Sequence, residues 1–70
     1  MTKSEVLEFF GGSKRAAYAL DVTDSAVRMW PETLGYKLAA RVIVAGIQHR
    51  GVQETRQRFP DMFERSQHPA

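Results

Sequence analysis

Lys14, Arg15 and Arg28 lie close together in a 70-residue chain, within residues 13–30, Ser-Lys-Arg-Ala-Ala-Tyr-Ala-Leu-Asp-Val-Thr-Asp-Ser-Ala-Val-Arg-Met-Trp. Such groups suit polyanion recognition. A guanidinium can bond guanine O6 and N7 together, worth about 1–3 kcal/mol of discrimination between bases. A hydroxyl and cations at the start of a helix, helped by its free amides, suit a phosphate. Ser13, Lys14 and Arg15 occupy such a start, and Tyr18 on the outer side of the same helix adds a hydroxyl. Nothing comparable supports catalysis: the chain shows no nucleophile–base constellation, paired carboxylate site or cofactor fingerprint. His49 and His68 lie too far apart, and too poorly accompanied by carboxylates or thiolates, for a metal site. No cofactor, metal or small-molecule ligand is expected.

The elements that must position these side chains are two short helices crossing over a tight turn. Ala17 is small where the second presses on the first, and Asp21 sits at the corner. Val27 and Trp30 fill the wedge, with Ala16, Leu20 and Val22 on the remaining inward positions. This is the pattern of a helix-turn-helix, whose second helix offers its outward side chains to a DNA major groove. Asp21 stands where the backbone needs a left-handed residue, a place that glycine fills most cheaply and Asp or Asn fill by local hydrogen bonding. Thr23 is a good N-cap for the second of the pair, and Pro31 limits that helix near Trp30.

Upstream, Thr2-Lys3-Ser4-Glu5 reads as a capping box, followed by an apolar face of Val6, Leu7, Phe9 and Phe10 that Gly11-Gly12 ends. Downstream, Leu38, Ala39, Val42, Ile43 and Gly46 fall on one stripe, predicting a helix over residues 33–48. Residues 52–58 read as a short polar helix, with Phe59, Met62 and Phe63 folding back as an apolar patch. The fold class is all-α, a compact bundle of about five short helices. A β-hairpin within residues 41–58 is the alternative, because Val42-Ile43-Val44 is β-branched. Residues 1–65 form one domain and residues 66–70 a flexible tail.

Ten Lys and Arg against eight Asp and Glu leave a net charge of +2. So small an excess favours base contacts and pairing of two copies over a nonspecific polyelectrolyte clamp. The absence of cysteine suits a reducing cytoplasm. No signal peptide is visible, and the longest apolar run, residues 42–47, is far too short to span a bilayer. A cytoplasmic protein without membrane partners is expected.

Phe10-Gly11, the framework Ala17, Val27 and Trp30, and Val42-Ile43-Val44-Ala45-Gly46 together resemble the Cro-type repressors of temperate phages, in their all-helical branch. The match is strongest over residues 5–30. Asp21 stands where that family usually has glycine, and Ser13 where it often has glutamine. The resemblance implies that Thr23, Asp24, Ser25, Arg28 and Met29 reach base edges. Arg28 would read guanine, its competing role being an ion pair with Asp24 four residues earlier. Ser25 can serve a base or a phosphate, Met29 a thymine methyl, and Asp24 a cytosine N4. Ser13, Lys14, Arg15 and Tyr18 would hold phosphates, with Lys37 a further candidate.

One recognition helix reads only a few base pairs, so two-fold pairing with half-sites about 34 Å apart is expected. The pairing surface must lie in the second half of the chain, where Val44, Ile47, Val52, Phe59, Met62 and Phe63 exceed what one small core absorbs. A weak homodimer on a palindromic operator, excluding RNA polymerase from a promoter, is the mechanism the resemblance implies. Two alternatives share the same head: an antitoxin or plasmid regulator whose C-terminal part binds a partner protein, and an adaptor that no longer meets DNA.

Overall fold

The computed structural model describes residues 1–67, with side chains described to Phe63. Among the described residues six helices follow in order: α1 (Lys3–Phe10), α2 (Ser13–Leu20), α3 (Asp24–Arg28), α4 (Tyr36–Arg50), α5 (Val52–Arg58) and α6 (Pro60–Gln67). The fold is all-α. The hairpin alternative does not form, since residues 41–58 belong to α4 and α5, joined at Gly51.

The first three helices are set by their ends. In the capping box of α1, the Glu5 amide donates to Thr2 Oγ1 at 3.2 Å and the Thr2 amide donates to Glu5 Oε1 at 2.8 Å. Gly11, at φ 91°, stops the helix with its amide on the Leu7 carbonyl. Asp21 turns α2 off at φ 58° and ψ 45°. The Val22 amide donates to the Ala17 carbonyl and the Asp21 amide to that of Tyr18, the paired bonds of a Schellman motif. Thr23 Oγ1 then accepts from the Ala26 amide at 3.1 Å to open α3.

The segment between α3 and α4 is stitched back onto the start of α1. The Lys3 amide donates to the Glu32 carbonyl at 2.8 Å and the Leu34 amide to that of Met1 at 3.0 Å. Thr2 and Thr33 form an isolated antiparallel bridge, and Leu34 is buried. This docking explains why α4 starts at Tyr36, three residues later than the sequence predicts. Its β-branched run is helical because Val42 is fully buried and Ile43 packs against the core, a gain that outweighs weak propensity.

The core comprises Val6, Phe9, Phe10, Ala16, Leu20, Leu34, Val42, Ala45 and Phe59, with Trp30, Leu7 and Val22 packed against it. The Phe9 ring lies edge-on to both Phe10 (centroids 5.1 Å apart) and Phe59 (5.3 Å). Gly46 lets α5 approach closely: a β-carbon there would meet Thr55 Oγ1 at 2.9 Å and Phe9 Cε2 at 3.0 Å.

Phe59 therefore requires a correction. Expected on a dimer surface, it is only 5% exposed and belongs to this chain's own core. The sequence could not reveal that α5 turns back over α1, where Arg58 bonds Glu5 at 3.3 Å and Phe59 reaches Phe9. Met62 also packs against this core, and Phe63 is half-buried with the Arg56 guanidinium 5.3 Å from its ring centre. Helix α6 was not expected as a helix. Proline is at home in a first helical position and an acid such as Asp61 suits the first turn. Residues 68–70, which include His68, lie outside the described residues.

Candidate nucleic-acid interface

Helices α2 and α3 pack around Val27, which is fully buried, and around Ala17 and Leu20. With Val27 turned inward and Asp24 and Ala26 half-buried, α3 leaves Ser25 and Arg28 outward. Ser25, Arg28 and Met29 are exposed, and Met29 is the most exposed large apolar side chain described, at 84%. Thr23 is exposed too, but its hydroxyl oxygen is occupied as the cap of α3. Asp24 is half-buried and pairs with Arg28, its Oδ2 3.0 Å from Arg28 Nε. The competing role foreseen for Arg28 is thus the one it takes in the unbound chain.

Lys3 was missed by sequence reasoning. Its ammonium donates to the Arg28 carbonyl at 2.6 Å, placing a cation at the negative end of α3. A long-range bond of this kind leaves no local signal in the sequence.

The phosphate candidates gather on α2. Its N-cap is Gly12, which offers no side-chain cap, so the first amides of the helix are not satisfied from within the chain by a cap. Lys14, Arg15 and Tyr18 are exposed and Ser13 is half-buried. The C-terminal turn of α4 adds basic residues, His49 and Arg50, that the sequence did not assign. Lys14, Arg15, Tyr18, His49 and Arg50 line one open recess over Phe10, and the Tyr18 and His49 rings meet edge-on at 6.0 Å. Arg50 is also held by Glu54 at 2.9 Å. Basic residues in a last helical turn were the available hint, but they suit a helix end for its own sake. Lys37 is exposed in the first turn of α4, apart from this recess and beside the exposed Tyr36.

Of the residues expected to pair two copies, Val44 (56% exposed), Ile47 (39%) and Val52 (45%) remain on the surface. Val44 and Ile47 stand three apart on one face of α4. Val44 also lines a shallow groove with Ala19, Leu20, Ala40 and Ala45. Among the described residues no helix is long and apolar enough to cross a membrane.

A family model described as "DNA-binding transcriptional regulator Cro" matches residues 2–46. That span contains α1 to α3 and most of α4. Comparison with curated proteins and with solved structures returned no match.

Proposed function

We propose that this chain, which belongs to the Cro family of DNA-binding transcriptional regulators, is a repressor that binds a palindromic operator as a weak homodimer. The observation that carries this reading is the outward face of α3, where Ser25, Arg28 and Met29 are exposed on a helix fixed at both ends. Arg28 reads guanine, Met29 touches a thymine methyl, and Ser25 serves a base or a phosphate. Ser13, Lys14, Arg15 and Tyr18 seat the α2 end on the DNA backbone, with Lys37 as a further contact. His49 and Arg50 extend that basic surface from α4.

Two copies meet through Val44, Ile47 and Val52, apolar side chains that remain 56%, 39% and 45% exposed. The apolar area they offer is small, so the dimer is weak and the operator assists its assembly. Bound across a promoter, it excludes RNA polymerase. Regulation then follows protein concentration.

The test is selection of bound duplexes from a random pool at about 0.1 M salt, followed by sequencing. An inverted repeat with half-sites about 34 Å apart is expected. Enrichment of no sequence overturns specific recognition, and an enriched single half-site overturns the dimer. Lys14→Ala and Arg15→Ala should each lower the slope of log affinity against log salt by about 0.9, the signature of one lost phosphate contact.

A further inference from the structure

The guanidinium of Arg28 is held from one side. Its Nε lies 3.0 Å from Asp24 Oδ2, one helical turn back, as an ion pair. Nη1 and Nη2 have no partner among the described residues, although the side chain is 69% exposed. The carboxylate that holds it is the better anchored of the two. Asp24 is only 28% exposed, and its Oδ1 is buried with no hydrogen-bond partner.

An ion pair between helix neighbours at the surface adds little to stability, whereas burying a carboxylate oxygen without a partner is costly. Stability alone therefore gives little reason for the arrangement. Its geometric consequence is clearer. With the carboxylate on its Nε side, the guanidinium keeps its two terminal nitrogens as a free, parallel donor pair, the edge that matches guanine O6 and N7. A long side chain fixed in advance also has less freedom left to lose on binding.

We propose that Asp24 is a positioning residue for base readout: it fixes Arg28 so that Nη1 and Nη2 meet a guanine end-on, and it touches no base itself. This rests on the reading of Arg28 given under Proposed function. The negative charge of Asp24 serves the same end, because it disfavours loose association of this surface with phosphates while leaving the arginine fork intact.

The test compares wild type, Asp24→Ala, Asp24→Asn, Arg28→Ala and the double variant Asp24→Ala/Arg28→Ala. Each is titrated against the selected duplex, duplexes with each guanine replaced in turn, and random-sequence DNA. Arg28→Ala should lose about 5- to 150-fold of discrimination at one guanine. Asp24→Ala should lose about 2- to 12-fold at that same guanine, the cost of ordering one long side chain. Its affinity for random DNA should hold or rise. Asp24→Asn, which keeps a carbonyl acceptor and the side-chain size, should fall between, and it carries the comparison if Asp24→Ala fails to fold. In the Arg28→Ala background, Asp24→Ala should change discrimination no further.

A merely structural role would lower specific and random binding together, and that result overturns the proposal. So does full discrimination in Asp24→Ala alongside its loss in Arg28→Ala, which leaves the reading of Arg28 standing. Loss at a different base pair would make Asp24 itself a base contact. Equal discrimination by wild type and Arg28→Ala removes the reading of Arg28, and the proposal with it.

Discussion

Helices α1 and α3 begin at threonines, Thr2 and Thr23, whose hydroxyls accept from the first turn, whereas α4 and α5 begin at glycines with no side-chain cap. Of the early pair, α1 also packs Val6, Phe9 and Phe10 into the core, whereas α3 is five residues long with one of them buried. The later pair is held along its sides, through Ala39, Val42, Ala45 and Gly46 on α4 and through Thr55 and Phe59 beyond it. Caps and end ties leave a helix face unoccupied, while side packing consumes it. The helix offered to DNA is accordingly fixed at its ends, by Thr23 at one and by Lys3 on the Arg28 carbonyl at the other. The two modes of support should respond differently to substitution.

The largest effect belongs to the packed half. Phe59→Ala should cost about 3–5 kcal/mol, as for other aromatic residues removed from a core. In a domain this small that is a large share of the total stability. The loss should be independent of protein concentration in thermal melts. A variant that melts like wild type but sediments as a lighter species would return Phe59 to an interface and undo the contrast. Gly46→Ala follows, at about 1–3 kcal/mol of overpacking, partly offset by a gain of about 1 kcal/mol in helix propensity. The neighbours that must give way, Thr55 and Phe9, are both buried. Thr55 is further held by its hydroxyl donating to the Gly51 carbonyl at 2.8 Å. Chemical denaturation should show net destabilisation, and a stabilised variant would mean that the approach of α5 to α4 is looser than these distances state.

The same contrast explains what could be read in the sequence. Capping is local: Thr2 with Glu5, Gly11, Asp21 and Thr23 each act within a few residues, so the boundaries of α1 and α2 and the start of α3 were legible from spacing alone, whereas α3 ends at Arg28, two residues before the Trp30 that Pro31 suggested. The stripe on α4 was legible for the same reason, though its start was not, because the docking of Leu34 and Glu32 against Met1 and Lys3 joins distant segments. Phe59 was misplaced because its partner, Phe9, is fifty residues away in sequence. At the candidate interface, the outward positions of α3 followed from the helix-turn-helix pattern and the pair Asp24–Arg28 from four-residue spacing. Lys3, His49 and Arg50 did not, since each joins the surface through a contact between helices.

In the end-tied half, substitution should separate binding from stability. Lys3→Met removes the ammonium from the Arg28 carbonyl while keeping the side-chain stem. A cation at a helix C-terminus is worth about 0.3–1 kcal/mol, so the melting temperature should fall by only a few degrees. Specific DNA affinity should fall by more than this stability loss accounts for, because α3 is released at the end that carries Arg28. An equal, small loss in both measurements would show that Lys3 steadies the fold without ordering the recognition helix.

The smallest effect lies at the first cap. The Thr2 amide, with smaller contributions from the Thr2 hydroxyl and the Arg58 guanidinium, holds the Glu5 carboxyl below the ordinary glutamate range. A carboxyl depressed by folding stabilises the native state at pH above its unfolded value, and that contribution is lost as pH falls through the folded value. Glu5→Gln keeps the capping acceptor and removes the charge. At neutral pH it should cost about 0.3 kcal/mol after solvent screening, or about 1–3 °C in melting temperature. The difference from wild type should close on acidification below the glutamate range. If the two melting curves instead stay parallel through that range, the charge of Glu5 contributes nothing, and the first cap of the end-tied half depends on hydrogen-bond geometry alone.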